Sequence, residues 1–153
     1  FFFFFQNKVH FDIHGQTAAE LIATRADSGQ PNICLTNWDG ARIRKTDVSI
    51  AKNYLSVDEL QALNNLAEQY LIFAEGQAMR RIAMTMVDWI TKLEGFLTLN
   101  DREILQGAGK VSAQLAKTHA EHEFDKFRRL DDQHFESDFD RMVKLLPPKP
   151  TRP

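Results

Sequence analysis

The chain has 153 residues, 43% of them hydrophobic and 26% charged, with a formal net charge of −2 and a pI near 6.2. This is enough apolar material for one folded domain, and the lack of a basic excess argues against a general non-specific nucleic-acid binder while leaving room for a local basic patch. A single cysteine, Cys34, excludes an intrachain disulfide; no apolar run approaches the roughly 18 residues of a membrane helix and no secretory leader pattern is present, so a cytoplasmic, membrane-free protein is expected.

The chain opens on five phenylalanines without an initiating Met. That run fits neither helical nor strand periodicity, and the chain reads as part of a longer protein whose upstream domain is missing. From there Phe5, Val9 and Ile13 fall four apart, one face of a helix that Gly15 is placed to end. Thr17 and Glu20 form a capping box for a second helix, from Ala18 to about Ala26, with Leu21 and Ile22 inward. Residues 27–46 carry loop and turn signals, Asp27 to Asn32 and then Trp38-Asp39-Gly40, with Arg42, Arg44 and Lys45 as a short basic cluster. A small hairpin about Asp39-Gly40 is one reading, on weak alternation.

Thr46 or Asp47 caps a short helix holding Val48, Ile50, Ala51 and Tyr54. Ser56 and Glu59 form the next box and open the clearest helix, reaching about Met79, with Leu60, Leu63, Ala67, Tyr70, Leu71 and Ala74 as its stripe. Thr85 precedes a helix through Trp89, Leu93 and Phe96. Asn100 to Glu103 looks like a further helix start. The last helix would carry Ile104, Ala108, Val111, Leu115, Ala120, Phe124 and Phe127 over about 25–30 residues, or bend near Gly107 and Gly109, where each glycine costs about 1 kcal/mol against alanine. A weak helix around Phe135, Phe139, Met142 and Val143 follows. The tail from Pro147 holds four of the five prolines. The expected fold is therefore mainly α: a bundle of about six helices with an irregular segment at 27–46 and a long C-terminal helix. Residues 5–130 form the domain and 131–153 an acidic, then Pro-rich, tail.

Candidate functional positions are Asn7, Lys8, His10, His14, Arg25, Asp27, Asn32, Trp38, Lys45 and Lys52. His10 and His14 share a helical face, a spacing that holds metals, but a third ligand would have to come from a distant segment. The structural reading is that one packs and the other bonds a backbone carbonyl near Gly15; no metal and no cofactor are expected. His119, His122 and their neighbouring glutamates read as a solvated charged face. Gly107 to Ser112 lacks two positions of a phosphate loop and reads as helix with small residues for close contact. Cys34 has no histidine beside it and reads as an inert thiol. Residues 1–52 hold six cations against five carboxylates, so a basic patch there requires folding to segregate the signs. Cations would then position a phosphate backbone with Trp38 as a stacking platform.

Several stretches resemble the RhuM family of bacterial virulence-associated proteins. They are Gln6 to His10, His14 to Glu20, Arg25-Ala26-Asp27, Pro31-Asn32, Leu35 to Trp38, Lys45 to Val48 with Ala51 to Leu55, and Phe73-Ala74-Glu75 with Gln77-Ala78. Met86, Asp88-Trp89, Ile104-Leu105 and Gly109-Lys110 fit as well. The resemblance covers most of residues 5–128 and the C-terminal part of such proteins. It implies a bacterial protein tied to pathogenicity islands, without an implied reaction or catalytic residue. Cys34 departs from it, standing where a small or flexible residue is expected.

The leading functional expectation is an interaction or oligomerisation module that self-associates through the C-terminal helix, whose stripe Phe124 and Phe127 extend. One alternative is an enzyme or toxin-like domain with a site around His10, Arg25, Asp27 and Lys45. Another is a nucleic-acid-binding module using the basic segment, an option the net charge does not favour.

Overall fold

The computed structural model describes residues 2–102, 104–134 and 138–145, and among these it contains six α-helices and no strand. The mainly α expectation holds. Helix α1 (Phe2–His14) ends where Gly15 turns to φ +73° and donates its N–H to the Phe11 carbonyl at 2.8 Å. The next three helices start alike. Thr17 caps α2 (Ala18–Arg25), Ser56 caps α3 (Val57–Met79) and Thr85 caps α4 (Met86–Leu99). In each, the acidic residue three positions on, Glu20, Glu59 or Asp88, accepts from the cap's own N–H. Two orphan backbone donors are satisfied reciprocally each time, a contribution of about 1 kcal/mol per cap.

Three local expectations are corrected. Around Asp39-Gly40 there is no hairpin. The single short helix after Thr46 is instead two 3-10 turns, Asp47–Ser49 and Ala51–Tyr54, broken where Ile50 is extended. The last long helix, α5 (Ala113–His134), starts well after Asn100. Asn100 closes α4 rather than opening a helix: its side-chain amide donates to the Phe96 carbonyl at 2.8 Å. Asp101, Gly107 and Gly109 then all take positive φ, which no right-handed helix tolerates. Gly107 to Lys110 is thus loop, not helix, and the Lys110 N–H docks it on Glu20 at the start of α2. Ser112 accepts from the Leu115 N–H at the true start of α5. Helix α6 (Asp138–Leu145) follows; Phe135 and the Pro-rich tail lie outside the described residues.

Two apolar clusters hold the helices. The first joins α2, residues 33–55 and α5 through Leu21, Ile33, Val48, Tyr54, Leu55, Ala120 and Phe124. The second joins α1, α3 and α4 through Val9, Leu66, Tyr70, Leu93 and Leu97, and Leu63 packs on both. Phe5, Phe73, Trp89 and Phe96 ring Tyr70, whose hydroxyl donates to the Trp89 carbonyl at 2.6 Å. The inward stripe of α3 therefore runs through Leu66 and Tyr70, and Leu71 faces out. Burying one such large side chain contributes about 1.5–3 kcal/mol. No helix among the described residues is long and apolar enough to cross a membrane.

Candidate functional site

The polar residues of α1 are directed inward. Lys8 donates from Nζ to Glu94 Oε1 at 2.8 Å and to the Leu105 carbonyl at 3.2 Å, fastening α1 to α4 and to the loop beyond it. Asn7 is buried beside it, and both line a small cavity of about 330 Å³. His10 is fully buried and its Nδ1 lies 3.1 Å from His14 Nε2. The two rings pair with each other, and the backbone of His14 itself, next to Gly15, also acts on the His14 ring. A single proton bridges such a pair. Burial, and then the neighbouring His14, push the His10 pKa down to about 4. Burial also lowers His14, with the Arg25 charge adding to it and Glu59 opposing.

Arg25 grips Glu59 with both arms, at 2.7 and 2.8 Å, and donates to the Tyr54 carbonyl at 2.8 Å. This bidentate hydrogen bonding, against the smaller effect of burial and with help from the Ser56 N–H, holds Glu59 down at about 2. Asp27 accepts from the Gly29 N–H at 2.8 Å and shapes a turn. Lys52 is exposed on the second 3-10 turn. The half-buried His14 and Arg25 thus lie beside the buried His10, Asp27 serves a turn, and Lys45 belongs to a different feature.

That feature is an open cleft of about 660 Å³ between residues 32–45 and α5. Trp38, Ile43, Phe124 and Phe127 form its apolar lining, and Arg42, Arg44, Lys45 and Arg128 are its cations. Asp125 and Asp131 face them from α5: Arg42 Nη2 lies 2.9 Å from Asp131, and Lys45 Nζ 3.3 Å from Asp125. Asn32 sits at the edge. Of the sequence candidates, Asn32, Trp38 and Lys45 therefore share this cleft. Phe127 and the buried Phe124 turn toward it and the first core.

The backbone behind Trp38 is bolted down. Thr36 and Asn37 both donate their N–H to the Asn53 carbonyl, at 2.8 and 3.3 Å. The Thr36 hydroxyl donates to the carbonyls of Asn53 and Leu55. Asn53 in turn donates to the Asp47 carbonyl, and the Tyr54 hydroxyl to that of Val48. On the cationic side Asp47 accepts from the Arg44 N–H at 2.7 Å. Gly40, at φ +85°, lets the Arg44 guanidinium lie against it.

Helix α5 is held in place by residues that read in sequence as a solvated face. His119 Nε2 pairs with the Ala26 carbonyl at 3.1 Å, and Glu123 accepts from the Ser28 N–H at 2.9 Å. Lys126 first, then Ser28, hold Glu123 at about 2. His122 remains exposed.

Asn32, Ile33 and Cys34 run left-handed at φ 54°, 57° and 61°. Each such non-glycine residue costs roughly 1–2 kcal/mol, offset here by full burial of Ile33. Cys34 departs from its resemblance at a position where a glycine would sit without strain. Its thiol is raised by burial and by Asp27, the direction of an unreactive side chain.

Sequence reasoning missed Arg128, Asp125 and Asp131, which reach the cleft from α5. Only the stripe position of Phe124 and Phe127 hinted that α5 would pass there. A sequence model described as the Virulence protein RhuM family matches residues 1–136. No curated protein and no solved structure matches the chain.

Proposed function

The chain belongs to the RhuM family of virulence proteins, and from that premise we propose that it is an interaction module whose working surface is the Trp38 cleft and whose ligand is a phosphate-bearing polymer, a nucleic acid. One observation carries this reading: Arg42, Arg44 and Lys45 from one segment meet Arg128 from another around an aromatic floor. Four cations face two carboxylates there, a local excess that the chain's net charge conceals. The cleft's ion pairs are exposed, and pairs of that kind are worth about 0.2–1 kcal/mol each. A phosphate therefore replaces the carboxylates at small cost. Outside the cleft, Lys8, Arg25, Glu59 and Glu123 are engaged in internal pairs, which supports binding over catalysis.

The test is the salt dependence of binding to a labelled DNA oligonucleotide. Affinity should fall linearly on a log–log plot as salt rises. Arg42→Ala with Arg44→Ala should weaken binding by about tenfold or more and flatten the slope by about 2. Binding that ignores both salt and the double substitution sinks this reading.

A second reading, self-association, is favoured by a different surface. Leu71, Ile72 and Met79 of α3 are exposed, as are Met86 and Val87 at the start of α4. Phe124 and Phe127, by contrast, pack on the chain's own core. If this face pairs two copies, sedimentation velocity shows a concentration-dependent dimer that Ile72→Asp with Met79→Asp dissolves. A wild-type chain that stays monomeric throughout removes it.

A further inference from the structure

We infer that the cleft takes a single strand, with a base laid on Trp38; this rests on the phosphate-binding reading above. The aromatic floor distinguishes the two forms of nucleic acid. A duplex offers its phosphates to surface cations but keeps its bases stacked on one another. A single strand presents free base faces, and these stack on aromatic side chains. Trp38 is half-buried: it packs against the first core and also lines the cleft. Phe124 and Phe127 continue that lining from α5. The volume of about 660 Å³ falls in the roughly 300–1,000 Å³ range of sites that enclose a small ligand, so it has room for a base with its sugar and phosphate. Arg42 and Arg44 lie four and six residues beyond Trp38 in the same segment, and Arg128 faces them from α5. This is the combination single-strand sites use: cations for the backbone, a π-face for the base, and tolerance of sequence.

The reporter is built in. The other tryptophan, Trp89, packs edge-on to Tyr70 and Phe73 against the second core and does not line the cleft, so a change in indole fluorescence that Trp38→Leu removes belongs to Trp38. The experiment titrates the full chain with a mixed-sequence DNA single strand, and with the same sequence as duplex, at one salt concentration. Fluorescence and polarisation are both recorded. The single strand should bind about tenfold more tightly than the duplex and quench Trp38. Trp38→Leu should remove the quench and weaken single-strand binding about tenfold, several-fold more than it weakens duplex binding. Trp38→Phe should restore much of the affinity, which a merely misfolded variant would not do, and thermal unfolding confirms that both variants are folded. Equal affinity for the two forms, single-strand binding without quenching, or equal weakening of both by Trp38→Leu overturns the inference. In the case of equal, salt-dependent affinity the phosphate-binding reading still stands. If neither form binds, that reading falls and this one with it.

Discussion

Replacing Gly109 by alanine should lower the unfolding free energy by about 3 kcal/mol, whereas Gly107→Ala should cost only about 1 kcal/mol. Both glycines occupy the left-handed region, at φ +84° and +80°, so both substitutions carry the same conformational penalty. They differ in what a methyl group meets. At Gly107 there is nothing within 4 Å. At Gly109 the new Cβ would stand 2.6 Å from Thr17 Cγ2 and 3.0 Å from both Thr17 Oγ1 and Glu20 Oε1. Thr17 cannot yield, because it is fully buried and its hydroxyl caps α2. Glu20 cannot yield without releasing the N–H groups of Thr17 and Lys110. Urea unfolding measures the difference as a shift in midpoint at constant slope; by calorimetry Gly109→Ala should melt about 6–12 °C lower than wild type. Thr17→Ser keeps the cap and removes the obstructing methyl, so in the Gly109→Ala background it should recover part of the loss. Equal effects at the two glycines would mean that the close approach of the loop to α2 does not limit stability.

That loop also marks the boundary of what sequence reasoning reaches. Capping boxes are local, four residues long, and those of Thr17 and Ser56 mark the starts of α2 and α3 from sequence alone; at Thr85 the carboxylate partner is Asp88, one carbon shorter than the usual Glu of the motif. The end of α1 at Gly15 was equally legible. At Asn100 the same kind of signal pointed the wrong way. Asn is suited both to opening a helix and to closing one, and the choice depends on residues farther on. The two glycines of the 107–109 loop decide it, because both are used at positive φ. The cleft divides similarly. Arg42, Arg44, Lys45 and Trp38 sit close in sequence and could be read as a cluster. Asp125, Arg128 and Asp131 lie some 80 or more residues away, and no local pattern joins them. The polar density of α1 misled for the same reason. Lys8 looked available in sequence because its partner Glu94 is 86 residues distant. A charged residue on an otherwise apolar helix face signals a partner without saying which one.

The buried His10, paired with His14, makes the fold acid-sensitive before its carboxylates titrate. His10 has a pKa of about 4 in the folded chain against an ordinary 6.5. Between those values the unfolded chain binds a proton that the folded chain refuses, so stability rises with pH across the window and is lost as pH falls through it. A pKa lowered from 6.5 to about 4 corresponds to about 3 kcal/mol, fully expressed below pH 4. His14 is lowered as well, mainly by burial, and acts in the same sense. Glu59 and Glu123 form a second, lower limb. Arg25 chiefly holds the first at about 2 and Lys126 the second. Their contributions are present above their ordinary pKa near 4.5 and vanish as pH drops toward 2. Asp12 works in the opposite direction. Burial raises its pKa against the pull of Arg102, so it favours the folded state at low pH and loses that contribution as pH rises through its folded value. Urea unfolding at successive pH values should therefore show stability falling as pH drops below 6.5 and falling more steeply below 4.5. His10→Asn keeps a polar atom near the position of Nδ1 and removes the titration. It should make the upper limb shallower, leaving the share of His14, and keep the lower one in place. An unchanged upper limb in that variant would remove the burial of His10 as its cause. The same experiment bears on function. Loss of ligand binding that tracks the upper limb, and that His10→Asn postpones to lower pH, would report unfolding of the scaffold.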